Sequence, residues 1–191
     1  MLSLPKPYLS PSQFMLWNSD PKRYIRQYVY GEKPISSRYT DFGTNVAELI
    51  EHDQFPIDVP RYTKMEHEMS AVIKTPEIRL FGRMDTFNPE TLEFRDYKTG
   101  KRPWTPVMAY KSDQLLFYAV MIYRNYGMVP KTAWIDWIET DEAEDGSVRI
   151  TGRVESLPCE LDVDRVKLME ERIIKTAKEI SQAYINELQK I

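Results

Sequence analysis

Asp85, Asp96 and Lys98 are the residues of this chain whose types and spacing best suit chemistry. Asp96 and Lys98 lie two apart in DYKTG (96–100), so on a strand their side chains share one face. Asp85 closes GRMD (82–85), and residues 86–95 leave room for a turn between two neighbouring strands. Such a pair of strands brings two carboxylates and an ammonium to one point. Clustered carboxylates repel, and one pKa rises unless a cation sits between them. Oxygen-rich sites of this kind suit Mg²⁺ or Mn²⁺. A bound ion would polarise a phosphodiester and acidify a water, while the lysine orients that water or stabilises the developing charge. The tripeptide alone is unspecific. Asp20-Pro21-Lys22 repeats it at a helix start, and an Asp–Lys pair at a strand end is also an ordinary solvated ion pair. On that view Lys98→Ala is expected to spare the fold.

The elements that must position these groups follow from periodicity. Ser10 or Ser12 caps a short helix bearing Phe14, Leu16 and Trp17; Asp20 caps a second, with Pro21 at its first position and Gly31 as its stop. A third helix is predicted from about Thr40 to His52, with Val46, Leu49 and Ile50 as its apolar stripe. Met65, His67, Met69 and Ala71 alternate with Glu66, Glu68 and Ser70, which reads as a strand with its acidic residues facing away from the packed side. Strands at about 78–87 and 92–97 complete an antiparallel meander around the turn Asn88-Pro89-Glu90. A helix follows from about Tyr110 to Tyr126, its inner face Leu115, Tyr118, Ala119 and Ile122. Strands at about 131–140 and 147–155 come next, and a last helix runs from about Asp162 to the end. This order describes one α/β domain over residues 1–191.

Composition narrows the classes. No apolar run approaches the ~20 residues that span a bilayer, and prolines at 5 and 7 break the start as a secretory signal. The single Cys159 excludes an internal disulfide and a four-cysteine iron–sulfur cluster, and suggests a cytoplasmic setting. A net charge of −3 argues against a protein that coats nucleic acid by bulk positive charge, although a local basic rim can still track phosphates.

GRMD at 82–85, DYKTG at 96–100 and QLLFY at 114–118 together resemble the RecB-like exonuclease branch of the PD-(D/E)XK nucleases. That pattern is Gly-x-x-Asp, a short hairpin, Asp/Glu-x-Lys-Thr, and a helix bearing Gln-x-x-x-Tyr. The N-terminal LSPSQF and DPKRYIRQYVYGE are also similar to the family's start, so the resemblance covers roughly the whole chain. It implies a restriction-endonuclease-like core, a central mixed β-sheet flanked by helices. It further implies that Asp85 and Asp96 ligate a metal with the backbone carbonyl of Tyr97, that Lys98 is catalytic, and that Gln114 and Tyr118 border the site from one helix face. For Tyr118, a plain core aromatic is the competing assignment.

The chain departs from the family at one ligand. FGTNVAELIE (42–51) aligns with a helix that carries a histidine ligand in many members, and that position is Ala47 here. Glu51, or else Glu48, is the candidate replacement; both can equally be solvent-facing helix charges. His52 falls on another face, and His67 reads as a packed strand residue. Lys101, Arg102, Trp104 and Lys111 add cations and an aromatic beside the proposed site, suited to a DNA strand, with a buried loop tryptophan as the plainer reading of Trp104. The expectation is a Mg²⁺- or Mn²⁺-dependent deoxyribonuclease, an exonuclease acting on single strands or duplex ends in DNA repair, recombination or mobile-element processing. RNA uses the same chemistry. The alternative is a degenerate member that binds nucleic acid or a protein and cuts nothing.

Overall fold

The computed structural model describes residues 2–190. Three helical pieces open the chain: α1 (Pro11–Ser19), α2 (Pro21–Tyr24), which runs into a π-helical turn at Ile25–Val29, and α3 (Arg38–Glu51). Side chains cap each start. Ser10 accepts from the Gln13 amide, Asp20 from Arg23 and Ser37 from Thr40, and Pro11 and Pro21 occupy the first helical positions. Asp20-Pro21-Lys22 is thus a helix start, as its sequence suggests.

Five strands follow the helices: β1 (Lys64–Lys74), β2 (Glu77–Phe87), β3 (Phe94–Gly100), β4 (Thr132–Glu142) and β5 (Val148–Glu160). They form one sheet in sequence order. The pairings β1–β2, β2–β3 and β4–β5 are antiparallel, and β3–β4 is parallel, so the sheet is mixed. The crossover from β3 to β4 carries α4 (Pro106–Tyr110) and α5 (Asp113–Tyr126), and α6 (Val163–Leu188) closes the chain.

The helix predicted from about Tyr110 to Tyr126 is α5, which starts at Asp113, and the short α4 precedes it in a stretch that reads as loop. Thr105 caps α4 on the Met108 amide, and Ser112 caps α5 afresh on the Leu115 amide. Nor does α5 show an apolar stripe: Leu115 through Ile122 are all buried. The sheet covers one side of this helix and α1 and α6 cover others, so it is enclosed as an all-round apolar helix must be. A second, smaller core joins Val46 and Ile50 of α3 to Phe55, Val59 and Ile138, with Tyr97 packed against it.

Two departures from sheet regularity make the site. Strands β2 and β3 pair only at Thr86–Arg95 and Phe87–Phe94, then diverge. The edge of β2 that β3 leaves is taken by the N-terminal segment: the Leu9 amide donates to Arg79 O at 2.9 Å, and the Phe81 amide donates to Leu9 O at 3.1 Å. The pleat also reverses near Glu66. Met65 and Met69 should share a face, yet Met69 lies in the main core and Met65 packs on the smaller one. On β2, Met84 and Phe87 are three apart and both lie in the main core. Glu66 itself has φ +45, a conformation L-residues avoid.

Candidate active site

The fork between β2 and β3 opens into a cleft of about 460 Å³. Asp85, Arg83, Asp96, Tyr97 and Lys98 line it from the two strands, Glu66 from β1, Gln114 from α5, and Thr40, Gly43, Thr44, Ala47, Glu48 and Glu51 from α3. Asp85, Asp96 and Lys98 therefore meet, as their spacing predicts.

One amide side chain organises the centre. Gln114 accepts from Lys98 Nζ through Oε1 at 2.9 Å and donates from Nε2 to Asp96 Oδ1 at 2.7 Å. The same Nε2 lies 3.4 Å from the Tyr118 hydroxyl, which donates to the main-chain carbonyl of Arg83 at 2.6 Å. Gln114 and Tyr118, four apart on α5, thus tie the β3 chemistry to the β2 backbone. Tyr118 is both assignments at once: its ring is core and its hydroxyl reaches the site's scaffold. Across the fork, the Tyr97 amide donates to Asp85 Oδ2 at 2.6 Å. The Tyr97 side chain also has work to do, because its hydroxyl donates to Pro60 O at 2.8 Å.

Charge is crowded here. Asp96 is 1% exposed, and its Oδ2 lies 2.5 Å from Lys98 Nζ. Burial, then the Asp96 charge, push the Asp85 carboxyl up to about 8, and the Tyr97 amide and Lys98 offset only part of this. Burial disfavours the Lys98 ammonium, but Asp96 and Asp85 outweigh it and hold its pKa above the usual value. Asp96 is buried while the Lys98 side chain is 28% exposed, so Lys98→Ala would leave a buried carboxylate without its counter-ion, a cost the solvated-pair expectation does not include.

Glu48 and Glu51 are exposed at the cleft rim beside Ala47, and neither faces away from it. Glu51 is near enough for its charge to help raise the Glu66 carboxyl, whose shift comes mainly from burial. Glu66 and Arg83 are cleft residues that sequence reasoning missed; the alternation of Glu66 with Glu68 and Ser70 marked it as an outward charge. His67 stacks on Phe87 with ring centroids 4.8 Å apart, a packed strand residue as expected, and His52 ends α3.

Lys101, Arg102, Trp104 and Lys111 do not line the cleft. Lys101 sits 3.6 Å from Asp141, Trp104 packs half-buried against the main core, and Arg102 and Lys111 are exposed.

The donor chemistry fits a hard divalent cation. Asp85 and Asp96 bring two carboxylates into one cleft, and burial together with the Asp96 charge raises the Asp85 carboxyl despite the Lys98 ammonium. In their present rotamers, no three His, Cys, Asp or Glu side chains among the described residues converge closely enough to hold an ion together. Among the same residues, no helix is long and apolar enough to cross a membrane.

Solved structures share this architecture. A candidate exonuclease from Eubacterium rectale superposes with a TM-score of 0.56 at 11% identity, over 91% of this chain and 82% of that one. A phage-related exonuclease from Haemophilus somnus 129PT gives 0.54 at 13% identity, over 89% and 82%. The alkaline exonuclease LHK-Exo of Laribacter hongkongensis, in complex with dAMP, gives 0.51 at 13% identity, over 97% and 94%. At such identities the likeness is one of fold. A search of curated proteins returns no match. A sequence model of the PD-(D/E)XK nuclease superfamily matches residues 48–189, which hold every lining residue of the cleft except Thr40, Gly43, Thr44 and Ala47 of α3. The chain belongs to the PD-(D/E)XK nuclease superfamily.

Proposed function

We propose that the 191 residues act as one nuclease domain, a Mg²⁺- or Mn²⁺-dependent deoxyribonuclease that hydrolyses phosphodiesters from single-stranded or duplex DNA ends in the cytoplasm. The observation that carries this reading is the convergence of Asp85, Asp96 and Lys98 in the β2–β3 fork, with Gln114 bridging the last two.

Asp85 and Asp96, with the Tyr97 carbonyl and a glutamate of α3, are the residues that would hold the ion. When bound, a divalent cation supplies charge stabilisation to the phosphoryl oxygens and acidifies a water. Lys98 provides the proton-rich ammonium. Held by Gln114 Oε1, it can orient the attacking water and stabilise negative charge on the scissile phosphate. Gln114 fixes the separation of Lys98 from Asp96, and Tyr118 fixes Gln114. Lys101, Arg102, Trp104 and Lys111 are proposed to contact DNA beyond the cleft. Exonuclease names among similar folds support the exonuclease assignment.

A second reading has a specific observation behind it: Ala47 lines the cleft at the position where the family resemblance implies a histidine ligand. A protein short of one ligand can bind nucleic acid without cutting it. Digestion of labelled linear and circular DNA, single- and double-stranded, and of RNA, with Mg²⁺, Mn²⁺ or chelator, separates the two. Metal-dependent loss of linear DNA ends supports the proposal. Retention of every substrate, with binding, favours the non-cutting reading.

A further inference from the structure

Glu66 stands at an unusual place in β1. Flanking pairs Met65–Thr86 and His67–Met84 set it opposite Asp85. Its φ of +45 costs on the order of 1–3 kcal/mol for a residue with a Cβ. The same distortion ends the regular alternation of β1, so that Glu66 leaves the outward face its sequence position suggests. Its side chain is only 13% exposed and lines the cleft with Glu51, Asp85 and Asp96.

The partner of Glu66 is telling. Arg83 lies directly across from Glu68, yet its Nε pairs with Glu66 Oε2 at 2.7 Å. The Arg83 main-chain carbonyl accepts from Tyr118, while its side chain is 61% exposed at the cleft. A strained backbone therefore turns one carboxylate inward, where a long cationic side chain from the cleft mouth neutralises it. In the same cleft the buried Asp96 carboxylate takes the Lys98 ammonium at its Oδ2, so this volume already accommodates positive charge.

Resting on the nuclease reading, we propose that Glu66 is a further acidic residue of the metal site, facing the ion directly or across one water, with Arg83 as the counter-ion that yields its place when the ion binds. Arg83 then becomes available to a substrate phosphate at the cleft mouth. Ala47 offers this site no ligand, and Glu66 adds negative charge to it from β1.

The test is Mn²⁺ binding without nucleic acid, by calorimetry, to the wild type, Glu66→Gln, Arg83→Gln and Glu68→Gln. Circular dichroism confirms folding of each. Loss of a partner at or just behind the ligands should weaken the ion about tenfold or more. The expected result is that loss for Glu66→Gln, tighter binding for Arg83→Gln, and no change for Glu68→Gln. A merely structural ion pair would leave Mn²⁺ affinity unchanged in both Glu66→Gln and Arg83→Gln, and this overturns the proposal. Should Glu66→Gln not fold, Arg83→Gln decides, because binding no tighter than the wild type contradicts a counter-ion role. Absence of Mn²⁺ binding by the wild type overturns the nuclease reading and this inference together.

Discussion

A methyl group on Gly82 would lie 2.7 Å from Cε1 of Tyr118 and 3.4 Å from the Met121 sulfur. The glycine of the β2 segment and the tyrosine of α5 are thus in direct contact, and the absence of a side chain on one lets the ring of the other seat beneath the fork. Tyr118 is 4% exposed and has little room to give way. Gly82→Ala should destabilise the protein by ~1–3 kcal/mol, the usual result of overpacking. It should also lower nuclease activity by displacing the hydroxyl that reaches Gln114. Thermal unfolding and a rate measurement on one preparation check both effects. Unchanged values for both would remove this contact from the account.

The Asp85 carboxyl, raised to about 8, makes a pH prediction with a definite sign. A carboxyl raised on folding binds its proton more readily in the native state. Its contribution to stability is present below the ordinary carboxylate range and is lost as pH rises through 8. Metal-free protein should therefore lose stability between about pH 4 and 8. Asp85→Asn, which keeps an acceptor for the Tyr97 amide, should be the more stable protein at pH 8 by roughly 1–3 kcal/mol. Denaturant unfolding in chelator at several pH values measures it, and identical pH profiles would contradict the burial argument.

Metal binding should release that proton. Between about pH 6 and 8, apparent Mn²⁺ affinity should climb roughly tenfold per pH unit, the slope for one proton displaced. Calorimetry in buffers of different ionisation enthalpy counts the protons directly. A flat affinity would mean that Asp85 is not a ligand.

Gln114→Leu removes the bridge between Lys98 and Asp96 while keeping the helix apolar. Loss of such a supporting contact should reduce the cleavage rate about 10–100-fold with a smaller effect on DNA affinity. Equal effects on rate and affinity would point instead to a DNA-binding role.

Of the two rim glutamates, Glu51 should matter more, because it acts electrostatically on Glu66. Glu51→Gln should weaken Mn²⁺ about tenfold or more, with Glu48→Gln close to the wild type. The reverse order of the two variants would assign the α3 ligand to Glu48.

Much of this site is legible in the chain because its groups are local. Asp96 and Lys98 share a face by strand period alone, and Gln114 and Tyr118 share one by helix period. The break between α4 and α5 was also written locally, in Ser112 ahead of Asp113 and Leu115, a capping signal that the apolar run beyond it obscures. Glu66 was not legible. A glutamate gives no sign of adopting φ +45, and its neighbours Glu68 and Ser70 keep the regular pattern it abandons. The parallel pairing of β3 with β4 comes from topology, which local periodicity does not encode; the family resemblance anticipated it as a mixed sheet. The burial of Asp96 beside Lys98 was equally hidden, because Gln114 reaches both from a distant part of the chain.

That burial shapes the most direct test of the central claim. Lys98→Gln keeps a hydrogen-bond donor beside Asp96 and is safer for the fold than Lys98→Ala. Single-turnover cleavage of labelled linear DNA in Mg²⁺ or Mn²⁺ should proceed with the wild type and fall about 10²-fold or more with Lys98→Gln. DNA affinity measured in Ca²⁺, and the circular dichroism spectrum, should stay close to those of the wild type. Equal cleavage rates for the two folded proteins would contradict the assignment of Lys98, and with it the β2–β3 fork as the catalytic centre.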